Sequence, residues 1–282
     1  MISALAKGHQ LLETDGRARP LVAPYLTEAI RASEFLRREL YDDSTGTLFR
    51  SYREGRSDVP GFAEDYAYLI QGLLDLYEAS FEIRWLQWAQ QLQTKMDELF
   101  WDAGAGGYFN SRADAPGIIV RLKEDYDGAE PAPASVAVGN LLRLEAMIGG
   151  SADPTSPGLG GRNRALQCAA ALRSQWERAP LALPQLLAAL ETARQPPRTV
   201  VLAGDPSADD VRALAAVAHE RLRPGYALLA ADGGEGQRWL AARRPEFADM
   251  KPIDGRATAY VCEGFTCRPP VTEPAELRQL LA

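Results

Sequence analysis

The stretches 41–52 (YDDSTGTLFRSY) and 101–112 (WDAGAGGYFNSR) repeat one pattern at a constant offset of 60 residues. In each copy an aromatic residue and an aspartate come first, and a glycine follows four positions after the aspartate. A glycine turn followed by alternating residues indicates a small hairpin. Each copy follows a helical pattern and leads through a polar loop into another helix. A repeated unit of helix, decorated loop and helix predicts an (α/α) toroid, with its loops around a concave site.

The segments around the repeat carry apolar residues at helical spacing. Stripes occur at 24–40, 62–79 and 82–100, weaker ones at 162–176 and 183–194, and 135–148 is apolar on most sides. A helix that is apolar all round is buried, so 135–148 is predicted to be an inner helix. Together with the first segment of the chain, these patterns predict about seven helices.

The pattern changes after Pro196 and Pro197. Strand-like stretches at 198–203 and 226–230 flank a helical stretch at 209–222, which predicts a βαβ unit. A further strand is predicted at 257–262, and a closing helix at 273–281. The Gly-, Ser- and Pro-rich stretch 149–161 predicts a surface loop. We therefore expect two parts: a partial toroid at 1–195, and a small α/β segment at 196–282 that packs on it.

The composition disfavours several classes of function. The chain has 282 residues, of which 46% are hydrophobic and 24% charged, and its net charge is −7. Without a long basic run, no nucleic-acid partner is expected. No membrane association is expected either, because no apolar stretch reaches the roughly 20 residues that span a bilayer. Only three cysteines are present, which favours a reducing, cytoplasmic location. The start, 1–7, has neither a signal-peptide pattern nor a capping residue, so we expect the chain to begin inside a helix.

Acidic side chains lie where each decorated loop meets the following helix. Glu64 and Asp65 open the helix after the first loop, and Asp125, Asp127 and Glu130 precede the helix after the second. In a toroid such junctions can face the central cavity, so the two clusters are expected to converge. A glycosidic bond is hydrolysed between one protonated carboxyl group and one carboxylate that acts as base or nucleophile. We therefore predict Asp65, Asp127 and Glu130 as catalytic residues.

The same carboxylates also have a structural interpretation. Acidic residues near a helix N-terminus satisfy free N–H groups and interact favourably with the helix dipole. For any single residue of the two clusters, capping or a local ion pair is the favoured role. A helix N-terminus also favours the ionised form, so it suits a base better than an acid, which would need an apolar pocket to raise its pKa.

Other side chains near the junctions are candidates for binding a sugar. Arg121 and Lys123 precede the second acidic cluster and could bind a sugar carboxylate or hydroxyl groups. Tyr66 and Tyr108, with Trp101 beside them in the pattern, could form a platform for a sugar ring. We predict Glu64, Tyr66, Tyr108 and Arg121 as substrate-binding residues. The favoured alternatives are solvated ion pairs with the nearby acidic residues for Arg121 and Lys123, and core positions for the aromatic residues, which helical spacing favours.

Neither a cofactor nor a metal site is predicted. Cys262 and Cys267 have no further cysteine or histidine nearby, so a four-ligand zinc site is unsupported. A redox pair is possible, although its usual spacing is C-x-x-C, and buried structural thiols are the favoured interpretation; the sequence leaves open whether the two cysteines pair. The glycines at 233–236 lack the Lys-Ser/Thr of a phosphate loop and predict a turn. The Gly-x-Ser-x-Gly elbow of serine hydrolases is absent from the sequence.

Five segments together resemble one protein family. They are 1–7 (MISALAK), 64–77 (EDYAYLIQGLLDLY), 99–109 (LFWDAGAGGYF), 127–131 (DGAEP) and 260–271 (YVCEGFTCRPPV). These segments look like the C-terminal part of the thioredoxin-domain proteins related to spermatogenesis-associated protein 20. The resemblance runs along nearly the whole chain and is weakest at 150–195.

The resemblance implies a fold and a field of function. Such proteins carry an N-terminal thioredoxin-like domain and then a six-hairpin glycosidase-like toroid, which links them to carbohydrate metabolism by fold. Measured against them, the chain is expected to lack the thioredoxin-like domain, its redox cysteines and the first part of the toroid. The family's Pro-Ser-Pro-Asn-Ser run is PAPAS at 131–135 here. The expected fold is mainly α, a partial (α/α)6 toroid with a small α/β C-terminal segment.

The residues and the resemblance leave two functions open. One is a carbohydrate-active domain, a sugar hydrolase or an epimerase, that takes a small carbohydrate ligand. A histidine-dependent epimerase is disfavoured because neither His9 nor His219 lies in a decorated loop. The other is a non-catalytic toroid that binds a ligand or serves as a scaffold for the thioredoxin-like domain. An open toroid edge would expose apolar surface, so a homodimer that covers it is a further expectation.

Overall fold

The computed structural model of the protein describes residues 1–14, 19–149, 160–264 and 266–282, without the side chains of 19–23. Within that part the helices are Ile2–Glu13 (α1), Arg19–Leu40 (α2), Ala63–Ser80 (α3), Ile83–Phe100 (α4), Pro133–Ile148 (α5), Gly161–Ala171 (α6), Arg173–Arg178 (α7), Pro184–Ala193 (α8), Asp209–His219 (α9), Glu235–Ala241 (α10) and Pro274–Leu280 (α11). Short 3-10 turns lie at Pro180–Ala182 and Pro245–Asp249. The strands are Tyr41–Asp42 (β1), Thr47–Leu48 (β2), Arg198–Ala203 (β3), Tyr226–Ala231 (β4), Thr258–Glu263 (β5) and Thr266–Cys267 (β6). The fold is mainly α, as the sequence predicts.

Most of the stretch predicted as a surface loop, 150–159, lies outside the described residues. Among the helices that the structure describes, none is long and apolar enough to cross a membrane.

Three helices form a central row and three others cover them. α3 lies between α1 and α5, while α2, α4 and α6 pack on α1, α3 and α5 respectively. Leu73, Leu74 and Leu76 of α3 are fully buried, and buried positions on different faces mean that α3 is enclosed on all sides. By contrast, α4 buries one stripe that includes Trp88 and Leu92, one helical turn apart. The prediction of a buried helix at 135–148 is confirmed, because α5 buries nearly its whole length.

The 60-residue repeat forms the same hairpin twice. The matching contacts are the antiparallel bridges Tyr41–Leu48 and Trp101–Tyr108, and the turn hydrogen bonds that Gly46 donates to Asp42 and Gly106 to Asp102. The two turn bonds measure 2.8 and 2.9 Å between the glycine nitrogen and the aspartate carbonyl oxygen. Gly46 and Gly106 have φ angles of +69° and +74°, a left-handed conformation that glycine adopts without the strain of a Cβ atom. The predicted hairpins are thus confirmed.

The C-terminal part contains the predicted βαβ unit. β3 and β4 are parallel neighbours connected through α9, in a sheet of strand order β4-β3-β5-β6. β5 pairs antiparallel with β3 and corresponds to the strand predicted at 257–262. Side chains of a strand alternate between its faces: Val201 and Leu229 belong to the core shared with the helices, whereas Val200 and Leu202 face a smaller core with α9 and α11. The main core therefore continues from the helices into one face of the sheet, and the division at 195/196 stays a prediction.

The C-terminal end of α3 is also bonded to the central part of β4. The Tyr77 hydroxyl oxygen accepts the Ala230 N–H at 3.4 Å, and a Glu78 carboxylate oxygen accepts the Leu228 N–H at 3.3 Å. Both bonds are buried, where a polar group without a partner would be costly. They fix α3 against the sheet at a sequence separation of about 150 residues.

A cluster of two buried carboxylates and two partly exposed cations joins the three central helices. Asp75 and Glu78 of α3 each contact Arg143 of α5, at 2.9 Å, and Lys7 of α1, at 3.3 and 3.5 Å. The Ser3 hydroxyl of α1 donates to Asp75 as well. The Asp75 side chain is only 3% exposed, so its charge would be strongly unfavourable without these partners. Although burial raises the pKa of Asp75, the charges of Arg143 and Lys7 outweigh it and hold that pKa below its usual range.

Replacing Arg143, the cation that α5 contributes, should destabilise the protein and change how its free energy of unfolding depends on pH. Because Arg143 keeps 24% of its side chain exposed, we expect Arg143→Met to lower the free energy of unfolding by about 2–4 kcal/mol, slightly less than for a fully buried pair. The stability that the Asp75 charge contributes is present above about pH 4, the carboxyl group's ordinary pKa, and is lost as the pH falls through the lowered pKa. Urea unfolding between pH 3 and 7 measures both effects.

The control is Arg173→Met on α7, whose ion pair with Glu177 is exposed and should be worth less than about 1 kcal/mol. Equal losses of stability in Arg143→Met and Arg173→Met would contradict the role given to the cluster.

Cys262 and Cys267 form a disulfide, so the expectation of buried structural thiols is wrong for this pair. The two residues face each other across the antiparallel pair β5–β6. Cys262 is buried in the sheet, whereas Cys267 is exposed on the edge strand. The spacing left open whether the two cysteines pair, because a cross-strand disulfide depends on two Cβ atoms that face each other from neighbouring strands and not on a C-x-x-C motif. Cys168 is a free thiol buried in the helical core, and burial raises its pKa to about 12.

The disulfide predicts a labelling pattern. Unfolded protein alkylated without a reductant should carry one label, on Cys168, and reduction should raise the number to the three cysteines of the sequence. Mass spectrometry of the intact protein counts the labels. Since the bond closes a short loop, reduction should lower the free energy of unfolding by only about 2 kcal/mol. Three labels before reduction would show that the pair is not bonded.

Candidate functional site

A cavity of about 1420 Å³ lies at the N-terminal end of the central helices. The first residues of α1, the first turns of α3 and the loop just before α5 line it, and α2 forms the opposite wall. The two decorated loops meet beside it, because the Ala63 N–H donates to the Asn110 carbonyl oxygen at 3.0 Å. Of the predicted catalytic residues, Asp65 and Glu130 line this cavity. The two acidic junctions therefore converge in part, through one residue from each.

Asp65 is a half-buried carboxylate in the first turn of α3. One of its oxygens accepts the Phe62 N–H at 2.8 Å and a guanidinium N–H of Arg50 at 3.0 Å. The first bond is the one that an acidic residue at the third helical position makes back to the N-cap residue, and it satisfies a backbone N–H group that the helix itself leaves free. Burial raises the pKa of Asp65, against the Phe62 N–H and the Arg50 charge, which lower it. Asp65 thus combines a capping role with a pKa above its ordinary value.

Glu130 and Tyr68 line the cavity on the side of the loop before α5. Glu130 is exposed, so its carboxylate is well solvated. The Tyr68 hydroxyl donates to the Pro131 carbonyl oxygen at 2.5 Å, which ties α3 to the loop that carries Glu130. Burial and the nearby charge of Glu130 raise the pKa of Tyr68 to about 12, so this hydroxyl keeps its proton at neutral pH. Tyr68 lies three residues after Asp65, on the same face of α3.

Asp127 does not line the cavity. One carboxylate oxygen accepts the Ala132 N–H at 2.8 Å, and the other accepts the N–H groups of Gln185 and Leu186 at 2.8 and 3.4 Å. Gln185 and Leu186 belong to the first turn of α8, whose free N–H groups Asp127 satisfies from a distant loop. Asp127 is 8% exposed. Its contacts are those of a helix cap, and the catalytic role predicted for it has no support from its position.

Arg50 connects the carboxylates of the first junction. Its guanidinium contacts Glu64 at 2.7 Å and Asp65 at 3.0 Å, and it lies 4.7 Å from the centre of the Phe62 ring. Burial and the charge of Glu64 raise the pKa of Glu124 from the second loop, so negative charges from both loops influence one another here. Glu64, predicted to bind substrate, is in an ion pair with Arg50 beside the cavity.

Two of the predicted substrate-binding aromatic residues are core residues. Tyr66 and Tyr108 are fully buried. The Tyr66 hydroxyl oxygen accepts the Leu48 N–H at 2.9 Å, and the Tyr108 hydroxyl donates to Asp97 at 2.5 Å. Both hydroxyl groups therefore fasten the repeated hairpins to the helices, which is the alternative that helical spacing favoured. They have no surface that a ligand in the cavity could contact.

The basic residues before the second acidic cluster also lie away from the cavity lining. The Arg121 guanidinium stacks 3.9 Å from the centre of the Phe109 ring. Lys123 donates to the Asp102 carboxylate at 2.6 Å and to the Gly106 carbonyl oxygen at 2.5 Å, which closes the turn of the second hairpin. The hydrogen bond from Lys123 lowers the pKa of Asp102 to about 2. These contacts are structural, and the ion-pair alternative describes Lys123, with Asp102 as its partner.

Metal-binding groups are not apparent in the described residues. No set of three or more His, Cys, Asp or Glu side chains is placed there to hold a metal ion. Neither His9 nor His219 lines the acidic cavity. Burial lowers the pKa of His219 to about 3, so this imidazole is neutral at physiological pH.

Sequence comparisons provide one close relationship. The chain is 38% identical to spermatogenesis-associated protein 20 of Rattus norvegicus over 91% of its length, and 39% identical to that of Homo sapiens over 90%. The chain is related to spermatogenesis-associated protein 20. An uncharacterised protein of Caenorhabditis elegans is 31% identical over 99% of the chain. No model of a protein family matches the sequence.

The relationship covers only part of the related proteins. The chain spans 32% of the rat and human spermatogenesis-associated protein 20 and 36% of the nematode protein. The family relation that the sequence motifs suggested is thereby confirmed. The names of these relatives carry no activity, substrate or ligand.

The structural role of Asp127 gives a direct prediction. Asp127→Ala leaves N–H groups of Ala132, Gln185 and Leu186 without their acceptor, so the free energy of unfolding should fall by about 1–3 kcal/mol. Asp125→Ala is the matched control, because Asp125 is an exposed carboxylate in the same loop, where substitutions usually change stability by less than about 0.5 kcal/mol. Urea denaturation at pH 7 measures both variants. An Asp127→Ala protein as stable as Asp125→Ala would contradict the capping role.

Proposed function

We propose that α1 to α6 are three hairpins of a six-hairpin glycosidase-like (α/α) toroid and that the acidic cavity binds a carbohydrate. Three observations support the proposal: the central row α1, α3 and α5, the covering helices α2, α4 and α6, and the hairpin that recurs after 60 residues. The observation that carries the site is the presence of one carboxylate from each junction, Asp65 and Glu130, in the lining of one cavity. Carbohydrate specificity is proposed by analogy of fold, an associational argument.

The two carboxyl groups differ in a way that suits acid–base chemistry. Asp65 is half-buried with a raised pKa, which favours the protonated form that a general acid needs. Glu130 is exposed, so its carboxyl group is accessible to water and to a ligand, as the position of a base or nucleophile requires. In glycoside hydrolysis, the first group protonates the leaving oxygen and the second activates water or attacks the sugar. We propose Asp65 as the acid and Glu130 as the carboxylate of a sugar hydrolase or epimerase.

Neighbouring side chains would prepare the site for this chemistry. Arg50 contacts Asp65 directly and would hold its carboxyl group in place. Tyr68 fixes the loop before α5 and therefore the position of Glu130. Both are positioning residues rather than groups that exchange protons with a substrate.

A specific observation favours the second candidate, a cavity that binds a ligand without catalysis. One oxygen of Asp65 already accepts hydrogen bonds from Phe62 and Arg50, and both bonds favour the ionised form. If these bonds persist with ligand bound, Asp65 remains a cap and the cavity serves for recognition alone. The cytoplasmic location and a homodimer remain predictions from the sequence.

The experiment combines binding and turnover. Thermal unfolding of the protein is followed with a panel of mono- and oligosaccharides, since a ligand at 100 times its Kd stabilises the folded state by about 2.7 kcal/mol. Sugars that bind are then assayed for hydrolysis and epimerisation. We expect Asp65→Asn and Glu130→Gln each to reduce turnover at least about 100-fold, the usual contribution of acid–base catalysis. Asp125→Asn, from the same loop as Glu130, is the matched control.

The outcomes separate the two candidates. Binding with turnover that both variants abolish supports the enzyme. Binding that weakens in Asp65→Asn and Glu130→Gln, with no turnover in the unsubstituted protein, supports the recognition site. A panel without any binding sugar, or turnover untouched by both substitutions, would reject the proposal.

A further inference from the structure

A second cavity, of about 660 Å³, lies towards the C-terminal ends of the same central helices. Its wall comes from α1, α3 and α5, from α8, and from the segment that connects α9 to β4. This volume falls within the range of about 300–1,000 Å³ that is usual for small-molecule sites. The acidic cavity shares only Ser3 and Gln71 with this lining. The second cavity is therefore a neighbouring space with a different set of charges.

Positive charge exceeds negative charge around the second cavity. Asp75 and Glu78 are balanced by Lys7 and Arg143, as described above. The lining contains three further guanidinium groups, of Arg162, Arg221 and Arg223. Among the described residues, none of these three has a carboxylate partner within ion-pair distance. The lining carries five cations and two carboxylates. Two more carboxylates lie next to the arginines without being part of the lining: Glu145 accepts the backbone N–H of Arg162, and Glu220 interacts with the charges of Arg221 and Arg223.

Two of the unpaired guanidinium groups are held in place by backbone oxygens. Arg162 donates to the carbonyl oxygen of Ala193 at the end of α8. Arg223 donates through Nε to Leu281 at 3.3 Å and through Nη1 to Ala218 at 3.0 Å. Carbonyl oxygens satisfy donors without neutralising the charge, so these groups remain available to an anion. A guanidinium fixed in advance loses little side-chain entropy when it binds carboxylate or phosphate oxygens.

Two residues that line the second cavity have buried polar atoms without hydrogen-bond partners among the described residues. The amide nitrogen of Gln10, a residue only 4% exposed, is buried and has no hydrogen-bond partner within the described part of the chain. Neither ring nitrogen of His219 has one there either. Buried polar groups in folded proteins are nearly always hydrogen-bonded, to the protein or to something bound to it. Gln10 and His219 both line the cavity, so the protein alone does not complete its polar contacts here.

We propose that this second cavity binds a small anionic ligand whose phosphate or carboxylate oxygens are held by Arg162, Arg221 and Arg223. The charged cluster on α1, α3 and α5 forms the floor of the site and supplies hydrogen-bonding groups for the rest of the ligand. A nucleic acid does not fit, because the protein has a net charge of −7 and the positive charge is confined to this cavity instead of a long surface. The site is independent of the carbohydrate proposal and uses none of its acidic residues.

The test measures binding of defined anions to the protein. Inorganic phosphate, glucose 6-phosphate, citrate and uncharged glucose are compared by thermal shift and calorimetry at constant ionic strength, because salt screens charge interactions. We expect at least one of the three anions to bind and glucose to bind at least tenfold more weakly. Tighter binding of phosphate and glucose 6-phosphate than of citrate would identify a ligand with a phosphate group. Tighter binding of citrate would identify a ligand with carboxylate groups.

Two variants in the cavity and two controls outside it locate the bound anion. Arg221→Met removes an exposed guanidinium that has no hydrogen bond or ion pair within the described residues, and Arg162→Met removes one held on α8. Each should raise the Kd of the bound anion at least tenfold. Arg173→Met, an exposed arginine outside the cavity, should leave it unchanged within twofold, as should Asp65→Asn in the acidic cavity. Urea unfolding of each variant checks that the fold is retained.

Two results would overturn the proposal. The first is that none of the three anions binds with a Kd below about 10 mM, the range in which specific binding of a small ligand is measurable. The second is binding that Arg221→Met and Arg162→Met leave unchanged, which would locate the anion elsewhere. A panel without any binding sugar, with anion binding intact, would reject the proposed function and leave this inference standing.

Discussion

Four charged side chains between α1, α3 and α5 form the interaction on which the arrangement of this protein depends. Asp75 and Glu78 stand on one helix, and their cations, Lys7 and Arg143, come from the helices on either side. Hydrophobic contacts are not directional, so they hold the helices together without fixing how far one has slid along another. Charge-assisted hydrogen bonds have defined lengths and angles, and the two buried carboxylates cannot readily exchange their protein partners for water. The cluster thereby fixes the register of the central row.

Both cavities follow from that register. With α1, α3 and α5 fixed at one level, their N-terminal ends and the loops that precede them surround the acidic cavity, where Asp65 and Glu130 face the same space. Further along the same helices, the cluster itself forms part of the second cavity, next to arginines without carboxylate partners. Glu78 also accepts a hydrogen bond from β4, so the sheet is positioned by the same group. A displacement of α3 would therefore disturb both sites and the contact to the sheet.

Local patterns account for what the sequence predicts correctly. The hairpins are predictable because their glycines must adopt a left-handed conformation at Gly46 and Gly106, and this requirement depends on neighbouring residues alone. The βαβ unit is predictable for a similar reason, since the strands and the helix have different apolar periods. The position of Tyr68, one helical turn after Asp65, could have identified it as a neighbour of the site. Its hydrogen bond to the distant Pro131 could not be predicted from that position.

Long-range partners account for the rest. Asp127 is a cap for α8, whose first turn lies 58 residues further along the chain, so the local pattern of an acidic cluster before α5 was misleading. The hydroxyl groups of Tyr66 and Tyr108 are committed to partners that no local pattern identifies. The charge cluster was not predicted at all, because Lys7 and Asp75 have no sequence feature that pairs them. A double-mutant cycle tests the cluster most directly, with Asp75→Asn, Arg143→Met and the double variant unfolded in urea at pH 7. Our account predicts that the effects of the two substitutions differ from additivity by at least about 1 kcal/mol. Additive effects, within about 0.5 kcal/mol, would contradict the claim that this contact fixes the central helices.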